Sequence, residues 1–538
     1  MQENGGNNTA HLEKLSSWDP LRRPVFRALW IATVVSNVGT WMQNTASAWL
    51  MTSLAPSPLM VSLVQTATTL PLFMLALPAG ALADVLDRRR LLLFTQSWMI
   101  AAAAALGWLT IAEHITPWML LSLTLMLGIG AAMNAPAWQA IVPELVSRRE
   151  IPSAVALNSA GFNVARSVGP ALGGLVLGLF GAGAAFLVNA VSFFGVLVVL
   201  FLWRQKPRES ELPAEKVISA TRTGIRYVRH APALRAVLIR TASFIISASA
   251  VMALLPLVAK DILGLGSAGY GLLLGSFGLG AVFGAILLQP IRQKISVDLL
   301  VVIGTIGFAG TLLTLALVRN FAAVCAALAV GGAGWLTLIS SFNSGVQAVV
   351  PSWVRGRALS VYMLVIFGGM AGGATLWGTV AGFIGIPHTL LAAAGSLVVS
   401  YALTSAYSLS GAENLDLSPS MHWPAPSFAV EPNPEDGPVL IMVEYLIDPE
   451  TAGEFALLMR RRRSARLRDG ALRWGLFVDA SKPDRYVESF VVASWLEHLR
   501  QHERVTVADR ELEKKVRSFH IGKEPPVVTH FLSKSLPK

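Results

Sequence analysis

Twelve stretches, each long and apolar enough to cross a bilayer as a helix, fill most of the first 410 positions and leave the chain few ways to fold. A crossing takes about 20 largely apolar residues. The stretches run over 27–51, 59–82, 91–112, 117–140, 153–178, 184–203, 236–258, 268–289, 298–318, 321–343, 358–383 and 387–408. Charged residues make up 14% of the chain and mean hydropathy is +0.57. Soluble domains carry about 25% charge, so the lipid bilayer is the expected partner of this surface. The first 24 residues lack the apolar core of a cleaved leader, and none is expected.

The net charge of +11 is not a nucleic-acid signature. Residues 1–410 hold 25 basic and 13 acidic side chains, whereas 411–538 hold 18 and 19. The excess lies in alternate loops. One set carries Arg22, Arg23, Arg88, Arg89, Arg90, Arg148, Arg149, Arg204, Lys206, Arg208, Arg292, Lys294, Arg355 and Arg357; the other carries only Lys260 and Arg319. Basic loops stay cytoplasmic, so both termini are expected inside, with an even number of spans. No nucleic-acid partner is expected. The lone cysteine, Cys325, lies in an apolar stretch and reads as a small hydrophobe.

Gln139-Ala140-Ile141-Val142-Pro143 follows the fourth span, and Gln347-Ala348-Val349-Val350-Pro351 follows the tenth, 208 residues later. Asn134 and Asn343 precede them, and Gly80-Ala81 has a counterpart in Gly284-Ala285. This predicts two six-helix pseudo-repeats in parallel. The expected organisation is an N-terminal segment (1–26), a first half (27–203), a central loop (204–235) with an amphipathic helix over 217–235, a second half (236–410), a linker (411–438) and a soluble domain (439–538).

Several residues stand out within the spans. Thr33, Asn37, Thr40, Trp41 and Asn44 recur at spacings of three and four, one face of a helix. Such a stripe suits a cavity wall or interhelical hydrogen bonding. Arg166 lies mid-span with Asn163 three residues before it. A charge there costs about 2.5–3.5 kcal/mol on insertion scales, so it should face the interior, either contacting an anionic substrate or bonding helix carbonyls. No Asp or Glu sits in the middle of a span, which leaves no visible titrating site for proton coupling. No Gly-rich phosphate loop is present, so no ATPase and no cofactor are expected.

The loop Gly80-Ala81-Leu82-Ala83-Asp84-Val85-Leu86-Asp87-Arg88-Arg89-Arg90 is similar to the signature loop of the major facilitator superfamily, with Asp87 where the family has a second glycine. Gly169-Pro170-Ala171-Leu172-Gly173-Gly174 resembles that family's antiporter motif, with Ala156 and Ala165 at positions glycine holds in the fuller form. With Trp30, Trp41-Met42, Leu70-Pro71 and Val142-Pro143-Glu144-Leu145, residues 1–410 resemble the branch containing the enterobactin exporter and drug:proton antiporters. The resemblance implies alternating-access export of a small amphipathic molecule such as a drug or siderophore, with proton antiport. It implies that Gly80, Asp84, Arg88 and Glu144 latch the halves on the cytoplasmic side. The polar face of the first span, the mid-span charge and the repeated asparagines put Asn37, Trp41, Asn44, Asn134, Asn163, Arg166 and Asn343 around the expected substrate. A plain positive-inside anchor and ordinary small-residue packing are the simpler readings of the two motifs, and the family's usual arginine in span four is missing.

The tail reads differently. Strands are predicted over 439–447, 472–479, 486–493 and 527–532, with a helix to about Arg468 and one or two helices over 495–519. The order βαββαβ is ferredoxin-like. It resembles in topology the dimeric α+β barrels of the antibiotic-biosynthesis monooxygenase group, which implies a homodimer through the tail. The tail would regulate or dimerise the carrier, act as an oxygenase-like enzyme, or scaffold a partner. His498 and His502 are one helical turn apart with no third ligand evident, so no metal site is expected. The loop charges make a direct prediction: cysteines placed at 57, 182 and 266 react with an impermeant reagent in intact cells, and those at 88, 148 and 292 do not. Labelling of the second set overturns the orientation.

Overall fold

The computed structural model describes residues 16–203, 224, 226–405, 416–423 and 432–533. Long helices make up the bundle: α1 (Pro24–Leu54), α2 (Pro58–Val85), α3 (Arg88–Ile111), α4 (Pro117–Leu145), α5 (Ile151–Leu202), α6 (Pro232–Leu257), α7 (Ser267–Arg292), α8 (Val297–Leu317), α9 (Phe321–Ala348), α10 (Arg355–Ile384) and α11 (Ile386–Thr404). Their starts are written in the sequence. Proline opens α1, α2, α4 and α6, where a missing N–H costs nothing. Asp87, Thr116, Ser296 and Asn320 accept from the first-turn amides of α3, α4, α8 and α9.

Among the described residues, ten helices, α2 to α11, are long and apolar enough to cross a membrane. Two physical causes separate this number from the twelve expected. The polar stripe on α1 lowers its hydropathy, and the two limbs of α5 follow one another over 52 residues with no loop between them, so they count once. A straight helix of that length would reach about 78 Å, against about 30 Å of hydrocarbon. Gly181, at φ 79° and ψ 171°, breaks it. Trp41 packs on Gly169 while Gly39 packs on Asn189, so the two limbs of α5 lie side by side against α1. Large apolar side chains such as Phe180, Phe201, Phe283, Ile306 and Phe383 point outward, a surface that suits lipid.

The halves meet where α5 packs on α7 and α2 on α10. At the first seam, a Cβ on Gly174 would lie 2.6 Å from the Ser267 carbonyl oxygen and 2.8 Å from the Gly271 Cα. At the second, Thr66 Oγ1 meets Thr375 Oγ1 at 2.9 Å and donates to the Ala371 carbonyl at 3.1 Å. At the end of the bundle away from the tail, Lys260 Nζ donates to the Thr52 carbonyl at 2.7 Å and Trp49 stacks on Tyr270.

The tail runs β1 (Val439–Leu446), α12 (Ala452–Asp469), β2 (Arg473–Val478), β3 (Arg485–Val492), α13 (Trp495–Arg504), α14 (Val507–Arg517) and β4 (Val527–Leu532). Its antiparallel sheet has the order β2-β3-β1-β4. Val439, Ile441, Val443 and Tyr445 alternate into a core with Phe455, Met459, Phe490 and Trp495. Phe477, Val527 and Phe531 remain exposed. A capping box between Thr506 and Asp509 splits the last helical region into α13 and α14.

One stretch departs from expectation. Within the anticipated linker 411–438, residues 416–423 pack on the tail. Ser420 N donates to the Val505 carbonyl at 2.9 Å, and Trp423 Nε1 donates to Glu513 at 3.0 Å. Trp423 also covers the Arg466 guanidinium, 4.9 Å from its ring centre. The expected amphipathic helix over 217–235 is helical at 224 and 226–230 and again from Pro232, where α6 begins; residues 217–223 and 225, like 411–415 and 424–431, lie outside the described residues.

The α5–α7 seam yields a test. Gly174→Leu, which has no room, should abolish monodisperse purified protein. Gly372→Ala, which meets nothing within 4 Å, should not. Size-exclusion chromatography of the two variants reads the difference.

Candidate functional site

The loop between α2 and α3 builds an ionic node on the tail side of the first half. Asp87 caps α3 by accepting from Arg90 N at 2.8 Å, so the aspartate in the glycine position starts a helix. Arg88 Nη1 pairs with Glu144 at 2.5 Å and also reaches the Ala140 carbonyl on α4. Arg89 donates to the carbonyls of Leu200 and Phe201 at the end of α5, where a cation meets the negative helix end. Gly80 faces open space, with nothing within 4 Å of where a Cβ would sit. The side chain of Asp84 lies outside the described residues. In the second half, Arg292 stands 204 residues after Arg88, the offset that relates Gly80 to Gly284. It donates to Ser340, Ser341 and Ser344 on α9 at 3.2–3.3 Å.

Inside the first half, a cavity of about 520 Å³ opens between α1, α3, α4 and both limbs of α5. Asn37, Asn134 and Asn163 line it, with Trp30, Gln96 and Phe162. Asn134 Oδ1 accepts from Thr95 and Gln96 at 3.2 and 3.3 Å, and Asn163 Nδ2 donates to Ser159 O at 2.9 Å. The structure does not bring all the named asparagines together. Asn44 is half-buried outside the cavity lining, and Asn343 accepts from Gln347 on its own helix at 2.7 Å.

Arg166 lies at the seam of the halves. Its guanidinium carbon is 5.9 Å from the ring centres of Trp41 and Phe277 and 6.0 Å from that of Trp335. That is the range in which a cation is drawn to an aromatic face. Trp41 comes from the first half; Phe277 and Trp335 come from α7 and α9 of the second. Sequence reading missed both rings, since a lone aromatic in an apolar helix carries no periodic signal. Gly169 and Gly173 press on Trp41 and Met42 of α1, Gly174 presses on α7, and the Pro170 carbonyl lies beside Gly271. The antiporter-like motif thus wedges α5 between α1 and the other half.

Two buried polar contacts also escaped the sequence reading. Asn189 donates to Gln43 at 2.6 Å. Arg240, buried in α6, pairs with Asp298 at 3.1 Å and reaches the Thr404 carbonyl.

In the tail, Glu488 is fully buried beneath Arg462 and Arg466, both at 3.1 Å, and accepts from Trp474 at 3.0 Å. Burial pushes its carboxyl up, but the two arginines outweigh that and hold it at about 2. His498 packs against His502 and His530, ring centres 5.0 and 4.8 Å apart. Burial, and then the imidazoles of His530 and His502, push it down to about 3. Among the described residues, no group of three His, Cys, Asp or Glu side chains could hold a metal.

Both shifts carry the same sign. The depressed His498 contributes stability that is complete above its free value of 6.5 and is lost as pH falls toward about 3. Glu488 contributes above its free value of 4.5 and loses that as pH falls toward about 2. Tail unfolding in the full chain, followed by tryptophan fluorescence, should therefore move to lower temperature as pH drops below 6.5. His498→Phe should make the decline between 6.5 and 4.5 shallower; an unchanged slope rejects this assignment.

Residues 15–538 match a family described as transmembrane secretion effectors, so the match includes the tail. The chain is 31% identical over 166 residues to the staphyloferrin A transporter of Staphylococcus aureus, covering 31% of this chain and 42% of that protein. It is 26% identical to the multidrug efflux pump Tap of Mycolicibacterium fortuitum, covering 67% of this chain and 90% of Tap. With the enterobactin exporter EntS of Escherichia coli it shares 25% identity, over 66% and 85% of the two chains. In solved structures, a bacterial homologue of the lysosomal transporter Spinster matches with a TM-score of 0.58 at 14% identity, over 73% of this chain and 98% of that one. The nucleoside transporter NupG matches at 0.56 and 12%, over 71% and 99%. Those two likenesses concern the fold alone.

Proposed function

The chain belongs to the transmembrane secretion effector family of major facilitator transporters, and from that premise we propose that it is a secondary active exporter of small amphipathic molecules, drugs or siderophores among them. The names of the staphyloferrin A transporter, Tap and EntS support that cargo class. The observation that carries the reading is Arg166. It is a permanent cation, it forms no ion pair among the described residues, and rings from both halves surround it beside a polar, aromatic cavity.

We read the membrane part as twelve spans in two halves. The paired limbs of α5 count as two, and α1 spans as a cavity-lining helix. Basic loops put both termini in the cytoplasm, in an inner or plasma membrane. Gly80, Asp84, Arg88 and Glu144 act as the cytoplasmic latch, and the Arg88–Glu144 pair supports this. Asn37, Trp41, Asn134, Asn163 and Arg166 contact cargo; Asn44 and Asn343 take supporting places on their helices. Proton antiport follows from the resemblance.

The tail is read as a ferredoxin-like module of the monooxygenase-like group that regulates the carrier and pairs with a second copy. Its uncovered sheet face, with Phe477, Val527 and Phe531, supports pairing. A second reading gives it oxygenase-like activity. What favours regulation is that ion pairs of Glu488, Arg462, Arg466 and Glu513 occupy the space between sheet and helices, leaving a void of about 20 Å³. That holds about one water.

The experiment is binding of one anionic and one neutral cargo candidate, drawn from a sensitivity panel on a deletion strain. Arg166→Ala should weaken the anionic ligand about tenfold more than the neutral one, the value of one charge-assisted contact. Arg166→Lys should retain part of the binding. Equal loss of both ligands in Arg166→Ala rejects Arg166 as a cargo contact.

A further inference from the structure

The tail is docked on the bundle through the second half. Arg226, just ahead of α6, pairs with Glu497 on α13 at 3.2 Å, their side chains 18% and 14% exposed. Next to it, Tyr227 is 2% exposed. It lies edge-on to Trp353 at 5.7 Å, with the Arg468 guanidinium over its ring at 5.9 Å. Arg504 of α13 covers Trp353 at 4.6 Å and ties back to Glu497 at 2.6 Å. A Cβ on Gly224 would lie 3.3 Å from that of Arg357, in the first turn of α10. Two helices of the tail therefore grip two places on the bundle, Arg226-Tyr227 and Trp353 in the turn Ser352–Val354.

That turn leads directly into α10, the second-half helix that lies along α2 of the first half and bonds it at Thr66. An ion pair this shielded is screened far less than a surface pair. The arginine–tryptophan contact adds attraction that does not depend on a counter-charge. The dock thus holds the end of a helix that forms the seam. It coexists here with a bundle joined at the far end by Lys260–Thr52 and Trp49–Tyr270.

We propose that the tail is an intramolecular lever on α10: docked through Glu497, Arg504 and Arg468 onto Arg226, Trp353 and Tyr227, it stabilises the arrangement closed at the far end, and its release lets the halves shift. The motion rests on the alternating-access reading above, but the dock does not, and the test uses no cargo. The first arm is the full chain in nanodiscs with Cys325→Ser, Arg226→Cys and Glu497→Cys, carrying a protease site in 424–431. A short bis-maleimide, which replaces the reach of the two long side chains that a direct disulfide lacks, should keep the two fragments joined on a gel after cleavage. The second arm places one cysteine, Asn163→Cys with Cys325→Ser, in the cavity wall. Its alkylation rate should fall about threefold or more when Arg226→Glu breaks the dock, the size expected for loss of one shielded pair. Trp353→Ala should do the same, and serves alone if Arg226→Glu does not fold. Absence of the cross-link overturns the dock. A cross-link with alkylation changed less than about twofold by both variants overturns the lever. Failure of Arg166→Ala to discriminate anions touches neither result.

Discussion

Hydrocarbon offers no water to a backbone amide or a side-chain charge, and each polar feature of this bundle answers to that shortage. Helices absorb the amides. Charges survive only where something meets them. Arg88 has Glu144, Arg240 has Asp298 and a helix-end carbonyl, and Arg89 has two carbonyls at the end of α5. Arg166 departs from this pattern, since aromatic faces stand where an anion would. Rings neutralise part of the cost and leave the guanidinium able to take a stronger partner.

The same constraint exposes how far the halves have diverged. Arg88 and Arg292 hold equivalent places, yet one faces a carboxylate and the other three serine hydroxyls. A hydroxyl is neutral and its hydrogen bond is weaker than one to an ion. At this repeated position on the tail side the ionic grip belongs to the first half, and the second half has its own ion pair between Arg240 and Asp298. On that same side the second half is engaged by the tail, through Arg226, Tyr227 and Trp353.

Much of the fold was legible because its signals are local. Span length and the period-two strands are read from neighbouring residues, as are the proline starts of the helices, and β4 lies where alternation puts it. The fourth-span pair with Arg88 was legible too, since it fell within a motif. Contacts between distant segments were not. Phe277 and Trp335 became part of the Arg166 environment only through the packing of α5 on α7 and α9. Arg240 and Asp298 are 58 residues apart, and neither sits in a motif. Asn44 and Asn343 were grouped with the cavity by helical spacing and repeat position, which fix a face of a helix but not what that face meets. Residues 416–423 were read as linker from their Pro and Ser content. Trp423 was the contrary signal: an aromatic body that seeks cover, with an N–H that finds Glu513.

The arrangement around Arg166 also bears on what alternating access requires. In the reading proposed above, cargo shifts the balance between the two arrangements of the halves only as far as it binds them with different affinity. A site wholly within one half would not feel the other half move. Here the cation and one tryptophan belong to the first half, while Phe277 and Trp335 belong to the second. A shift of a few ångströms between halves takes two rings away from the guanidinium or presses them onto it. That changes how strongly the cation is held by the protein, and so how readily it accepts an anion. The close glycine contacts at 169 and 173 hold the first-half side of this site against α1, while Gly174 packs directly on α7.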